Sequence, residues 1–80
     1  MKRILYPIRD TVHPEWLHRM RKLTRTSHSE IERATGIPKR RQIVIESGVT
    51  QETEFSPGTL LAWKNLLSER ARMIGQEAEP

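Results

Sequence analysis

Three consecutive cations, Lys39, Arg40 and Arg41, stand directly behind Pro38 and just ahead of the apolar run Ile43-Val44-Ile45. Proline suits the first position of a helix, where its φ is already right and its missing N–H would have no partner anyway. Cations in that first turn oppose the helix dipole, so they make a poor helix start and need another role. A polyanion supplies one. Arginine can fork onto O6 and N7 of guanine, and an apolar side chain can meet a thymine methyl. Lys39, Arg40, Arg41 and Ile43 are therefore the candidates for contact with DNA bases. The plainer reading of each cation is a solvated side chain. Gln42 is either partly buried or, with the helix rotated, a reader of adenine.

The stretch from Ser27 to Gly48 must position these groups, and it reads as two short helices around a tight turn. Ser27 can cap the first helix, and Glu30 three residues later completes a capping box. Ile31 and Ala34 fall on one face of it. Gly36 ends it, because glycine enters the left-handed conformation without a steric penalty. Pro38 then starts the second helix, with Ile45 packing inward and Gly48 as the break. In a helix-turn-helix the second helix lies in the major groove. The β-branched run at 43–45 favours a strand instead. A strand over 41–46 is thus the competing reading, with the following loop as the turn of a wing.

These residues are similar to those of a known family, the Cro/C1-type (XRE-like) helix-turn-helix transcriptional regulators. The matching features are Ser27 and Glu30, Ile31, Gly36-Ile37, Ile45-Glu46-Ser47-Gly48 and Ser56-Pro57-Gly58-Thr59-Leu60-Leu61. They span roughly residues 15–67. Two positions depart from the pattern: Glu32 replaces a small residue, and Gln42 a usually apolar one. The resemblance implies a dimeric repressor of double-stranded DNA. It also implies a phosphate contact for His28, which stands where the family carries a phosphate-binding glutamine. Anti-CRISPR-associated regulators are similar in length and layout, as are other phage and plasmid repressors. A helix N-terminus presents free amides to a phosphate, and several cations lead up to it, so Arg25 and Ser27 join His28 as candidate phosphate contacts.

The flanking segments complete an all-α expectation: a domain of four to five helices with an extended N-terminal arm. Residues 1–12 form that arm or a short strand, with Pro7 restricting it to an edge. The arm either follows the minor groove through its basic tip or lays Leu5, Tyr6 and Ile8 against the core. The domain proper covers 13–75. Pro14 opens its first helix, where Trp16, Leu17, Met20 and Leu23 make an apolar stripe. Residues 47–56 form a polar loop whose acids belong away from DNA. Ser56 and Pro57 start a last helix over 57–74, stopped by Gly75, and 76–80 form a disordered tail. The stripe of that helix is wide enough that Trp63 and Leu67 are candidates for a dimer interface; packing within the monomer is the alternative.

Charge supports this layout. Residues 1–41 hold eleven Lys/Arg against four Asp/Glu, and residues 42–80 hold three against six, leaving a net +4. A basic half backed by an acidic half suits a nucleic-acid face. With no cysteine, disulfides and thiolate metal sites are excluded, and the spacing of His13, His18 and His28 gives no reason for zinc. No metal or cofactor is expected. No paired carboxylates, nucleophile triad or phosphate loop is arranged for catalysis, so no enzymatic activity is expected. Nothing reads as a signal peptide or membrane span, which points to the cytoplasm. Single-stranded RNA recognition lacks its aromatic platform. With no effector domain, repression would work by promoter occlusion. An antitoxin-like module that neutralises a protein partner is the alternative.

Overall fold

A computed structural model describes residues 4–78 of the chain, with side chains to residue 75. The element order is β1 (Tyr6–Pro7), α1 (Pro14–Leu23), α2 (His28–Thr35), α3 (Lys39–Ser47), β2 (Glu52–Thr53) and α4 (Pro57–Ala78). α4 packs against α1 and α2, while α3 packs against α1 and α2. None of these helices is long and apolar enough to cross a membrane.

The fold is mostly helical but not all-α. β1 and β2 pair antiparallel, Tyr6 opposite Thr53 and Pro7 opposite Glu52. In a two-stranded ribbon both strands are edges, which is where proline is tolerated. The Ile8 N–H extends the pairing by donating to the Gln51 carbonyl at 3.0 Å, and Ile8 and Val12 are buried. Residues 6–12 are therefore stitched onto the domain as the short-strand alternative has it, whereas Leu5, expected against the core, is 48% exposed. The basic tip, Lys2 and Arg3, lies outside the described residues.

α1 begins as its sequence dictates, with His13 at the N-cap and Pro14 first in the helix. Its stripe is narrower than the spacing suggests. Leu17 is fully buried and Trp16 and Met20 pack against the core, but Leu23 is 59% exposed. The helix ends one residue later at Thr24, whose hydroxyl donates to the Met20 carbonyl at 2.7 Å and lies 2.7 Å from the Thr26 hydroxyl. Both threonines are buried, and Arg25 between them has φ +54°, a left-handed conformation that few non-glycine residues adopt.

α2 has the expected ends. Ser27 Oγ accepts from the Glu30 N–H at 3.1 Å, and Glu30 Oε1 accepts from the Ser27 N–H at 3.0 Å. Gly36 closes the helix at φ +81°. Ile31 is buried, whereas Ala34 is exposed. After Gly36, Ile37 drops into the core and Pro38 serves as the N-cap of α3 rather than its first residue.

α3 is helical throughout, so the strand alternative over 41–46 fails. Local β preference loses to tertiary burial of one helical face: Gln42, Ile45 and Glu46 are all buried, and Gly48 terminates the helix at φ +77°.

In α4 the Thr59 N–H reaches the Ser56 hydroxyl at 3.3 Å, as a cap should. The helix does not stop at Gly75. That glycine is absent from the left-handed conformation seen at Gly36 and Gly48, and without it the helix continues to Ala78. Residues 76–78 of the expected tail are thus helical, and 79–80 lie outside the described residues. Leu60, Trp63 and Leu67 are each 0% exposed in the single chain. Trp63 and Leu67 are core, with no surface left to offer a second subunit, because α1 and α2 already cover that face.

Candidate nucleic-acid interface

α2 and α3 are joined by only Gly36, Ile37 and Pro38. On α3, the buried positions Gln42, Ile45 and Glu46 share one face. Helical spacing places Arg40 and Ser47 towards the other, with Ile43 on the flank between the two faces. Lys39 and Arg40 are exposed, and neither has an ion-pair or side-chain hydrogen-bond partner among the described residues. Ile43 is 48% exposed. Three of the four expected base-contact residues are therefore exposed, with Arg40 opposite the buried face, Ile43 on its flank and Lys39 at the N-terminal end of the helix.

The fourth is drawn aside. Arg41 NH2 lies 3.3 Å from Glu54 Oε1, so its guanidinium turns towards the loop carrying β2. Both partners are well exposed, and such a pair contributes little stability, but it removes Arg41 from that group in the unbound protein.

Of the expected phosphate contacts, Arg25 is exposed and has no side-chain partner among the described residues. Ser27 and His28 are differently occupied. The Ser27 hydroxyl also donates to Glu30 Oε1 at 3.2 Å, and the Glu30 carboxylate is paired with Arg70 NH1 at 2.7 Å. These contacts hold its carboxyl below the usual range, chiefly through the Ser27 N–H and then Arg70. A carboxylate thus sits on the amide that a phosphate would need. His28 turns inward: its side chain is 15% exposed, with Nε2 3.6 Å from Glu46 Oε1 and without a hydrogen-bond partner.

Glu46 is the centre of a polar cluster that the sequence reading missed. Arg21 Nε donates to Oε2 at 2.7 Å and Arg21 NH2 to Oε1 at 3.1 Å. His18 Nδ1 lies 3.2 Å from Oε1, close enough to donate when it carries the proton. Burial pushes the Glu46 carboxyl up, but the hydrogen bonds from Arg21 and His18, with the charges of Arg21 and His28, outweigh it and hold it below its ordinary value. His18, Arg21, His28, Ile43, Glu46 and Ser47 line an open cleft of about 340 Å³. The signal available in the sequence was the position of Glu46, four residues after Gln42 and beside Ile45, on the face that must turn inward.

Gln42 is fully buried. Its Nε2 donates to the His28 carbonyl at 2.9 Å and to the Ile37 carbonyl at 2.8 Å. It is the buried member of the two alternatives its residue type allowed.

Among the described residues no group of His, Asp or Glu side chains is arranged to hold a metal ion. At Glu46, the Arg21 guanidinium occupies both carboxylate oxygens. Comparison with protein families, with curated proteins and with solved structures finds no match to this chain.

Proposed function

We propose that the chain is a sequence-specific double-stranded DNA-binding transcriptional repressor. In this reading it acts as a homodimer on an inverted repeat and represses by covering a promoter. The observation that carries the reading is the exposed surface of α3. Lys39, Arg40 and Ile43 are exposed on a helix whose inward face is fixed by Gln42, Ile45 and Glu46. A rigid helix with free donors and an uncovered apolar side chain is what the major groove accommodates, with arginine for guanine and isoleucine for a thymine methyl. The short α2–α3 connection fits a helix-turn-helix, in which the residues at the start of the second helix touch base edges. Arg25 supplies a phosphate contact, and the basic first half of the chain supplies the long-range attraction.

The dimer does not use Trp63 or Leu67. Exposed apolar side chains on α4, namely Leu61, Met73 and Ile74, are what a second copy could cover. Selection of binding sites from a random duplex pool tests the reading. Two half-sites in inverted orientation, about 34 Å apart, are expected. Failure to enrich any sequence would reject it.

A further inference from the structure

The inward face of α3 is unusual in holding only one fully buried apolar residue, Ile45, between two polar ones, Gln42 and Glu46. Apolar packing is non-directional, and a helix seated by it alone can rotate or slide by small amounts at little expense. Hydrogen bonds are directional. Gln42 makes two of them, using both protons of Nε2, to acceptors in different places: the His28 carbonyl at the start of α2, and the Ile37 carbonyl in the turn. The orientation of its amide is fixed, since reversing it would set Oε1 against two carbonyl oxygens. Oε1 has no partner and is buried, so the side chain holds its place although one of its polar atoms stays unsatisfied. Such an atom is expensive. An apolar residue of similar length would avoid that penalty but would leave the Ile37 carbonyl without this donor, so glutamine supplies both pairing and a fixed direction.

We propose that Gln42 is a positioning residue for base recognition: its two-carbonyl clamp sets the rotation of α3 about its own axis. That rotation decides where Arg40, on the far side of α3, and Ile43, on its flank beside the Glu46 cleft, meet the base edges. The inference rests on the DNA-reading role proposed above. A bidentate arginine–guanine contact discriminates by geometry. A small rotation of α3 therefore degrades selectivity while leaving the attraction of Lys39, Arg40 and Arg25 for phosphates in place.

The test uses the full chain and the duplex it selects from a random pool, with a scrambled duplex as reference. Gln42→Met keeps length and burial but removes both hydrogen bonds. Ile45→Val, on the same buried face, is the control for loss of stability alone. Gln42→Met is expected to lower the ratio of selected to scrambled affinity about tenfold, with scrambled-duplex affinity unchanged. Ile45→Val is expected to lower Tm and leave that ratio intact. An unchanged ratio in Gln42→Met, or an equal fall in both variants, overturns the proposal. If the wild-type chain prefers no duplex, the DNA-reading role fails and the proposal falls with it. A second measurement keeps the question open to refutation should Gln42→Met not fold. In the wild-type protein the two Gln42 Nε2 protons should exchange with solvent far more slowly than those of exposed Gln51. Equal exchange would refute the clamp.

Discussion

Arg21 and Glu46 are joined across the α1–α3 contact by two hydrogen bonds, at 2.7 and 3.1 Å, with the Glu46 side chain only 5% exposed. The two bonds make a bidentate contact, which combines charge with directional geometry. It anchors the last turn of α3, while Gln42 anchors the first. The helix that carries the base-contact candidates is thereby held at both ends.

Removing one partner of a buried pair leaves the other charged and unpaired, which costs on the order of 3–5 kcal/mol. Glu46→Gln and Arg21→Ala should each lower stability, towards the lower end of that range because Arg21 retains some contact with solvent. Urea unfolding followed by circular dichroism checks this. A shift under 1 kcal/mol for both would mean the pair is not holding α3.

Acid should act through the same carboxylate. Glu46 has a folded-state pKa below its ordinary value of 4.5, so the folded protein binds this proton more weakly than the unfolded chain does. The resulting stabilisation is fully present above about pH 4.5 and is lost as pH falls through the folded-state value. Glu30 and Glu15 are lowered as well, by Ser27 and Arg70 and by Arg9 respectively, and act in the same direction. Tm measured from pH 7 to pH 3 should fall below pH 4.5 in the wild-type protein. The fall should be shallower in Glu46→Gln, and equal slopes would remove Glu46 from the acid response.

Trp63→Ala should be among the most damaging single changes. The side chain is fully buried between α4 and its neighbours, and truncating a buried tryptophan costs about 3–5 kcal/mol through lost burial and the cavity left behind. Loss of the cooperative thermal transition, or a strongly lowered Tm, is the expected result. A variant that stays folded yet becomes monomeric would instead support an interface role for this residue.

Much of this architecture was legible because single residues carry sharp local signals. The Ser27–Glu30 capping box and the glycine at 36 specify the bounds of α2 through hydrogen-bonding groups and backbone freedom that involve only neighbours in sequence. Pro14 and Ser56 do the same for the starts of α1 and α4. What was not legible depends on distant partners. The β1–β2 ribbon joins residues 6–7 to 52–53, and two-residue strands have no period to detect. The Ile43-Val44-Ile45 run pointed to a strand until burial of the surrounding helical face decided otherwise. Gly75 resembles a stop but terminates nothing.

The site divides in the same way. The exposure of Lys39, Arg40 and Ile43 fits what their residue types suggested, since exposure needs no partner. The inward turn of His28, the capture of Arg41 by Glu54 and the Arg21–Glu46 clasp all rest on pairings across 13 to 25 residues. No local pattern encodes them.

Arg40→Ala should weaken binding to the selected duplex by about 1–3 kcal/mol and relax preference at one base pair. Arg25→Ala should instead weaken binding to all sequences alike and reduce the salt slope by about 1. Gel-shift titrations over a set of singly substituted duplexes separate the two patterns. An Arg40→Ala protein with unaltered affinity and preference would take Arg40 out of the contact set.

The most direct test of the central claim is wild-type binding to the selected duplex and to a scrambled duplex of equal length, at two salt concentrations. A base-reading α3 predicts a strong preference for the selected duplex that survives the higher salt, while scrambled binding weakens with the steep salt dependence of phosphate contacts. Equal binding to both duplexes, lost together as salt rises, would contradict it and leave only charge attraction between this basic protein and DNA.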